Sequence, residues 1–282
     1  PGHVPAGLSA RSRGLSIAPA ISETAALLAL AGVFGLCVGS FLNVLIHRLP
    51  RDLLDGTPGT QTTGILTGRS RCPVCRHRIR WRDNIPLLGW IRRRGRCRDC
   101  RAPISPRYPL VEALMALGGI VVAARFGMTA AGLSAFLLTA WLLVLAGIDQ
   151  ATRLLPDNLT LSGLWLGLVL ASANIHVNAS QAILGAAIGY AALSSLNLGF
   201  RILRGQDGMG GGDFKLLAML GAWLGPGALP VVMLMAAGGG MLGSLLTGPA
   251  RGRPMPTHIA FGPWLAMAGW IRLVWPHEWW TL

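Results

Sequence analysis

Apolar stretches of about 20 residues recur along the chain, and this is the length that a helix needs to cross the hydrocarbon core of a bilayer. Only 13% of the 282 residues are charged and 52% are hydrophobic, whereas soluble domains carry about 25% charged residues. Backbone polar groups inside a bilayer must be satisfied within the segment itself, which helices achieve. The sequence therefore predicts an all-α polytopic membrane protein.

The apolar stretches predict about eight transmembrane helices. They lie near residues 24–46, 109–125, 128–148, 158–173, 180–200, 213–225, 227–247 and 259–276. The polar segment 47–108 separates the first helix from a transmembrane core at 109–276. Residues 1–23, rich in Pro, Gly and Ser, are expected to be disordered or vector-derived, and 277–282 form a tail. The small-xxx-small pairs Gly163/Gly167 and Gly185/Gly189 predict close helix packing.

Positive charge orients these helices. The net charge is +14, but 15 arginines fall within 47–108, and in a membrane protein such a loop is typical of the cytoplasmic face. Alternating eight helices from that loop puts 21 Lys and Arg residues on the cytoplasmic side and four on the other. The charge pattern therefore supports eight helices with both termini outside the cytoplasm, and nucleic-acid binding is not expected.

Two Cys-x-x-Cys pairs lie in the arginine-rich loop. Cys72 and Cys75 form the first pair, Cys97 and Cys100 the second, with 21 residues between the inner cysteines. Two such pairs are the usual tetrahedral cage for structural zinc, and disulfides are disfavoured on a cytoplasmic face. We expect 47–108 to be a small zinc-binding loop domain, with two reduced, metal-free pairs as the alternative.

Acidic residues are scarce, so those at helix ends carry information: there are 11 in the chain. A charge at membrane depth is costly and usually functional. Asp149 ends the third predicted helix and Asp213 begins the sixth, and the topology puts both at the cytoplasmic boundary. Two carboxylates at one depth are the minimum set for aspartyl-protease chemistry, in which one activates water and the other polarises the carbonyl.

Each aspartate also has a structural interpretation. Asp149 could pair with Arg153, four positions further along the helix, and Asp213 could be a helix N-cap. Asp157, which precedes the fourth predicted helix, is expected to cap it. Matching depth, the scarcity of acids and the glycine context favour function for Asp149 and Asp213 together.

Residues 208–213 read GMGGGD and do not form a phosphate-binding loop. They lack the G-x-x-x-x-G-K-[ST] pattern, and Asp213 stands where the dinucleotide pattern needs glycine. Glycines leave the backbone without side-chain bulk, so a peptide substrate could approach closely, or the short helix could move. Gly210, Gly212 and Lys215 are the candidate substrate-approach or supporting residues.

The chain resembles the type IV prepilin peptidases, also called prepilin leader peptidases/N-methyltransferases. The resemblance covers nearly all of residues 25–275. It is carried by GSFLNVLIHRLP at 39–50, the cysteine loop at 72–112, IDQATRLLPDNLTL around Asp149, the G-x-G-D motif ending at Asp213, and AFGPWLA at 260–266. Gly89 departs from the serine that members often have there.

The resemblance implies an enzyme of the bacterial inner membrane. It would remove the short basic leader of type IV prepilins or type II secretion pseudopilins after a glycine, on the cytoplasmic face. It would then methylate the new N-terminus with S-adenosylmethionine, whose binding residues the sequence does not indicate. Asp149 and Asp213 would be catalytic, 109–276 the catalytic core, and membrane lipid the surroundings. The alternatives are a non-enzymatic transporter or assembly scaffold with a zinc loop, and a presenilin-like G-x-G-D protease.

Overall fold

A computed structural model describes residues 17–54, 70–247 and 260–275, and these residues are helical apart from one loop and short turns. We number the α-helices in chain order. They are α1 Ile17–Leu54, α2 Leu88–Arg92, α3 Arg107–Phe126, α4 Ala130–Thr152, α5 Asp157–Ser172, α6 Ala179–Arg204, α7 Gly211–Leu224, α8 Leu229–Thr247 and α9 Gly262–Val274. The expected tail 277–282 and residues 1–16 of the expected N-terminal segment lie outside the described residues.

Every predicted apolar segment corresponds to one helix, but the number of membrane spans does not follow from this match. Within the described residues, five helical segments are long and apolar enough to cross a bilayer. They are Glu23–Pro50, Arg107–Phe126, Ala130–Thr152, Ala179–Arg204 and Pro226–Leu246. Helices α5, α7 and α9 have 16, 14 and 13 residues, which at about 1.5 Å per residue gives at most about 24 Å. A bilayer core is about 30 Å thick, so eight spans remain a prediction.

Helix α1 differs from its predicted bounds at both ends. It begins at Ile17, inside the segment expected to be disordered, and continues to Leu54, eight residues past the predicted end. Pro50 lies inside this helix. The polar residues at the C-terminal end, which the apolar pattern assigned to the loop domain, therefore extend the first helix beyond its apolar part.

Helix α7 lies at the centre of the bundle. It packs against α5, α6, α8 and α9, and it buries ten of its 14 residues. Large apolar side chains on the peripheral helices point outward instead, such as Leu30, Ile183, Leu203 and Leu234. Exposed apolar area on this scale fits a lipid-facing surface. A helix too short to span the bilayer is thus enclosed by its neighbours, of which α6 and α8 are long enough to span.

Glycines allow the helices around α7 to approach closely, as the small-xxx-small spacing predicts. A Cβ atom on Gly185 of α6 would lie 2.2 Å from the backbone oxygen of Gly221 in α7. On α5, a Cβ at Gly163 would lie 2.6 Å from the sulphur of Met219, and one at Gly167 would strike the Trp223 ring. Helices α5 and α7 are also joined by a hydrogen bond, which Trp223 Nε1 donates to the backbone oxygen of Gly163.

The cysteine loop is anchored to the beginning of α3. The backbone N–H of Leu87 donates to Glu112 Oε2 at 2.8 Å, and Trp90 Nε1 donates to the backbone oxygen of Ile104. Glu112 lies five residues into α3, about 7.5 Å along its axis. The Leu87 part of the loop is therefore held level with the first turns of a span-length helix.

Candidate active site and metal centre

Asp149 lies near the C-terminal end of α4, with its side chain buried at 5% exposure. The backbone N–H of Gly262, the first residue of α9, donates to Asp149 Oδ2 at 3.0 Å. A Cβ atom on Gly262 would lie 2.7 Å from that oxygen. The first residue of α9 must therefore be small, and its N–H is aimed at the carboxylate.

Arg153 does not pair with Asp149 as the structural interpretation expected. Arg153 ends α4 in the left-handed conformation, and its backbone N–H donates to the backbone oxygen of Asp149. Ion pairs within 4.0 Å instead join Arg93 to Asp83 and Lys215 to Asp157. The guanidinium group influences Asp149 only at longer range, and the carboxylate is held by α9.

Asp213 is the third residue of α7 and not its N-cap. Gly210 is the N-cap residue, and its carbonyl oxygen accepts a hydrogen bond of 3.1 Å from the backbone N–H of Asp213. The Asp213 side chain is 8% exposed, and no hydrogen bond to its carboxylate occurs among the described residues. Capping therefore does not explain why an aspartate stands here, since its buried carboxylate accepts no hydrogen bond from the N–H groups at the start of α7.

Helix α9 brings the two aspartates together. It packs against both α4 and α7, with Trp270 Nε1 donating to Thr139 Oγ1 of α4 at 2.9 Å. On its other side, Gly269 leaves room for Leu220 of α7. The carboxylates of Asp149 and Asp213 are close enough to interact electrostatically. The arrangement places two buried acids within electrostatic range of each other, with one backbone donor on the first.

The glycines before Asp213 differ in their surroundings. A Cβ atom on Gly212 would lie 2.7 Å from the Cβ of Leu155, so Gly212 allows the start of α7 to pack on the α4–α5 connection. Gly210 and Gly211 have open space around the corresponding position. None of the three has a positive φ angle. Only Gly210 and Gly211 leave an unobstructed backbone beside Asp213.

Lys215 ties the start of α7 to the start of α5. Its Nζ lies 2.6 Å from Asp157 Oδ1. The expected capping role of Asp157 is wrong, because Pro156 occupies the N-cap position and no side chain caps α5. Proline leaves the cap unfilled, and the exposed Asp157 carboxylate instead finds a lysine on the neighbouring helix.

The four loop cysteines form one cluster. The sulphur atoms of Cys72 and Cys100 are 3.8 Å apart, those of Cys75 and Cys97 are 4.0 Å apart, and all four lie within 4.8 Å of one another. Four thiolates at the usual zinc–sulphur distance of about 2.3 Å form a tetrahedron with edges of about 3.8 Å. The donor atoms therefore fit a single four-coordinate metal ion.

The protonation of the cluster fits a site for a cation. The backbone N–H of Cys75 lowers the pKa of Cys72 to about 7. The His77 backbone N–H lowers the pKa of Cys75, but desolvation and the neighbouring sulphurs of Cys100, Cys72 and Cys97 together raise it to about 12. One thiolate forms readily, and further thiolates need a positive charge beside them.

Gly262 is a site residue that the sequence interpretation left without a role. The motif AFGPWLA was noted only as part of the resemblance. Pro263 directly after Gly262 marks the first turn of a helix, and helix N-termini present unpaired N–H groups to anions. That signal predicts an anion-facing helix end but not which carboxylate it meets.

Two buried aspartates at helix ends, inside a bundle of span-length apolar helices, are typical of intramembrane aspartyl peptidases. Comparison with known families agrees. Residues 33–126 match the bacterial peptidase A24 N-terminal domain, and residues 136–245 match the type IV leader peptidase family. The chain belongs to the type IV leader peptidase family.

Individual relatives match over most of their length. The chain is 45% identical to the prepilin leader peptidase/N-methyltransferase of Aeromonas hydrophila, over 86% of this chain and 89% of that protein. The proteins of the same name from Stutzerimonas stutzeri and Pseudomonas putida are 44% and 42% identical, over 86% and 91% of this chain and 89% and 93% of theirs. No solved structure matches the chain significantly.

Proposed function

We propose that this protein is a membrane aspartyl endopeptidase that removes the basic leader of type IV prepilins or type II secretion pseudopilins. Cleavage follows a glycine on the cytoplasmic face of the bacterial inner membrane, and the enzyme then methylates the new N-terminal amine. The observation that carries the proposal is the buried pair Asp149 and Asp213, joined through α9. The names of its relatives support both activities.

We assign different roles to the two aspartates. A backbone N–H hydrogen bond stabilises a carboxylate more than a carboxylic acid. Among the residues that the structure describes, Asp149 receives such a bond, from Gly262, and Asp213 does not. Asp149 is the ionised base, and Asp213 carries the proton that two adjacent acids share.

Cleavage then follows from these positions. Asp149 takes a proton from water, the water oxygen attacks the carbonyl carbon of the leader glycine, and Asp213 protonates the carbonyl oxygen. As the tetrahedral intermediate collapses, Asp149 returns its proton to the leaving amine and Asp213 recovers its own. Substrate reaches Asp213 past Gly210 and Gly211, where the backbone is unobstructed, while Gly212 and Lys215 fix the start of α7.

The cysteine cluster is proposed to hold structural zinc. Cys72, Cys75, Cys97 and Cys100 complete the coordination sphere, so the metal stabilises the loop and takes no part in cleavage. The methyl donor S-adenosylmethionine supplies a methyl group to the amine that cleavage releases. We assign no residues to its binding.

The test is incubation of the full-length purified protein with a prepilin that carries a Gly–Phe junction, with and without S-adenosylmethionine. Mass spectrometry reports leader loss and methyl gain as separate mass changes. Asp149→Asn and Asp213→Asn should each lower the cleavage rate at least about a hundredfold, because each removes one partner of acid–base catalysis. The variant Asp207→Asn is the matched control, since Asp207 is an exposed loop residue bonded to Asn197. Cleavage that persists in either active-site variant would contradict the assignment.

A further inference from the structure

The cysteine loop contains a cavity that neither cleavage nor zinc binding uses. Its volume is about 580 Å³. It is lined by Arg80, Trp81, Arg82, Asp83, Arg92, Arg93 and Arg98. Five of these seven residues are arginines and one is acidic, so the cavity, which we call the arginine pocket, has a strongly positive lining.

Most of this charge is not neutralised by the protein. Asp83 pairs with Arg93, with Oδ1 2.7 Å from a guanidinium nitrogen, and Arg82 lies over the Trp81 ring at 5.2 Å. No carboxylate of the described residues lies within 4.0 Å of Arg80, Arg92 or Arg98. Guanidinium groups bind phosphate oxygens through paired N–H donors, so the pocket fits a phosphate-bearing anion.

The surroundings of the pocket are apolar and exposed. Trp81 is 73% exposed, and in α2 Leu88 and Ile91 are 63% and 59% exposed, directly before Arg92. The Leu87–Glu112 hydrogen bond holds this part of the loop level with the first turns of α3, a span-length helix. Exposed tryptophan and aliphatic side chains beside arginines at that level are typical of a surface at the lipid headgroups.

We propose that the arginine pocket binds the phosphate of an anionic phospholipid headgroup, with Trp81, Leu88 and Ile91 lying against the lipid. The evidence is the charge complementarity of the pocket and the apolar side chains beside it. Lipid bound there fixes the loop against the membrane surface. The proposal does not depend on the peptidase assignment, because it concerns lipid binding and not cleavage.

Native mass spectrometry of the full-length protein in detergent tests the proposal. Phosphatidylglycerol is titrated in, with phosphatidylcholine in a parallel titration. Arg92→Gln combined with Arg98→Gln should weaken phosphatidylglycerol binding by about 25-fold, since one basic side chain near an anionic surface contributes about a fivefold change. Phosphatidylcholine binding should not change.

The matched control combines Arg71→Gln with Arg78→Gln, which removes the same charge from the same loop outside the pocket lining. It should retain wild-type affinity for phosphatidylglycerol. Equal losses in the two double variants would overturn the proposal, since they would indicate a general charge effect.

A variant that should strengthen lipid binding distinguishes an effect on binding from a loss of structure. Asp83→Asn removes the pocket's one carboxylate and releases Arg93, so phosphatidylglycerol should bind about fivefold more tightly, which an unfolded loop would not produce. Unchanged or weaker binding in this variant would count against the pocket. Displacement of the lipid by inorganic phosphate at similar concentration would overturn the lipid assignment and indicate a site for soluble phosphate.

Discussion

At the scale of single residues, the candidate active site depends on how two buried carboxylates are held. Asp149 accepts a hydrogen bond from the backbone of α9, while Asp213 has only the neighbouring acid as an electrostatic partner in the described structure. A buried acid without a donor is expensive to ionise. This difference separates the proposed base from the proposed acid. Their chemical types and positions could be predicted from sequence, but their roles could not.

Gly262→Ala should slow turnover and leave substrate binding nearly unchanged. The added Cβ would lie 2.7 Å from Asp149 Oδ2, so the carboxylate or the start of α9 must shift. A misplacement of about 1 Å can reduce the rate about a hundredfold. We expect kcat to fall by about ten- to a hundredfold with KM changed less than about threefold, measured by mass spectrometry of leader release.

The control for this prediction is Gly238→Ala in α8, where an added Cβ meets nothing within 4 Å. That variant should retain wild-type kcat. A rise in KM with unchanged kcat in Gly262→Ala would show that Gly262 contacts substrate and does not position Asp149.

At the scale of elements, the cysteine loop folds around its sulphur cluster and not around a hydrophobic core. Of the four loop cysteines only Cys72 is buried. Each Cys-x-x-Cys pair lies in a turn, which we call a knuckle, and the isolated bridges Arg71–Arg78 and Arg96–Pro103 close the two knuckles. The x-x spacing predicts each knuckle because it brings two thiols to one turn. That the two knuckles meet is a feature of the folded loop.

Cys97→Ser should abolish tight metal binding by the loop. A serine hydroxyl is a poor replacement for a thiolate on zinc, and three remaining sulphurs leave the coordination open. Elemental analysis of protein purified without chelator should find about one zinc per wild-type chain and almost none in the variant. Limited proteolysis should then cut between residues 70 and 106 much faster, since the metal supplies folding free energy.

Cys37→Ser provides the control, because Cys37 lies in α1 away from the cluster. It should keep the wild-type zinc content. Wild-type protein that contains no zinc would contradict the metal assignment, and a chelator that leaves the proteolysis rate unchanged would contradict the structural role.

At the scale of the whole molecule, a short helix carries one proposed catalytic acid and is surrounded by four other helices. Helix α7 is too short to span a bilayer core, and its neighbours bury it almost completely. In lipid, the hydrophobic effect does not drive helices together, because the acyl chains are as apolar as the side chains. Such packing therefore relies on close contact between small residues. The glycines of α5 and α6 therefore set the position of α7, and with it the position of Asp213.

Gly221→Ala should destabilise the bundle. The added Cβ would lie 2.1 Å from the backbone oxygen of Gly185, which cannot move as a flexible side chain could. Overpacking of a tight interface costs about 1–3 kcal/mol. We expect a lower unfolding temperature of the detergent-solubilised protein, measured by thermal unfolding. The cleavage rate, measured at lower temperatures, should be affected no more than the stability is.

Gly199→Ala in α6 is the comparison, since an added Cβ there meets nothing within 4 Å. Its unfolding temperature should equal that of the wild type or exceed it slightly, because alanine favours helix. Similar unfolding temperatures for Gly221→Ala and the wild type would show that α6 and α7 separate easily.

The amino-acid sequence by itself determined the features that depend on neighbours along the chain. Runs of apolar residues predicted the positions of eight helices, and paired cysteines predicted the sulphur cluster. Both signals are local. Sequence could not say which of these helices span the bilayer, because an apolar run has the same composition whether it faces lipid or packs against protein.

Tertiary structure alone decided how distant segments meet. Asp149 and Gly262 are 113 positions apart, and the hydrogen bond between them exists only because α9 packs between α4 and α7. The packing of α5 against α7 likewise brings Asp157 to Lys215, while Pro156 takes the N-cap position of α5. Such contacts depend on helix positions set by glycine-sized gaps in three dimensions, and no local pattern of residues encodes them.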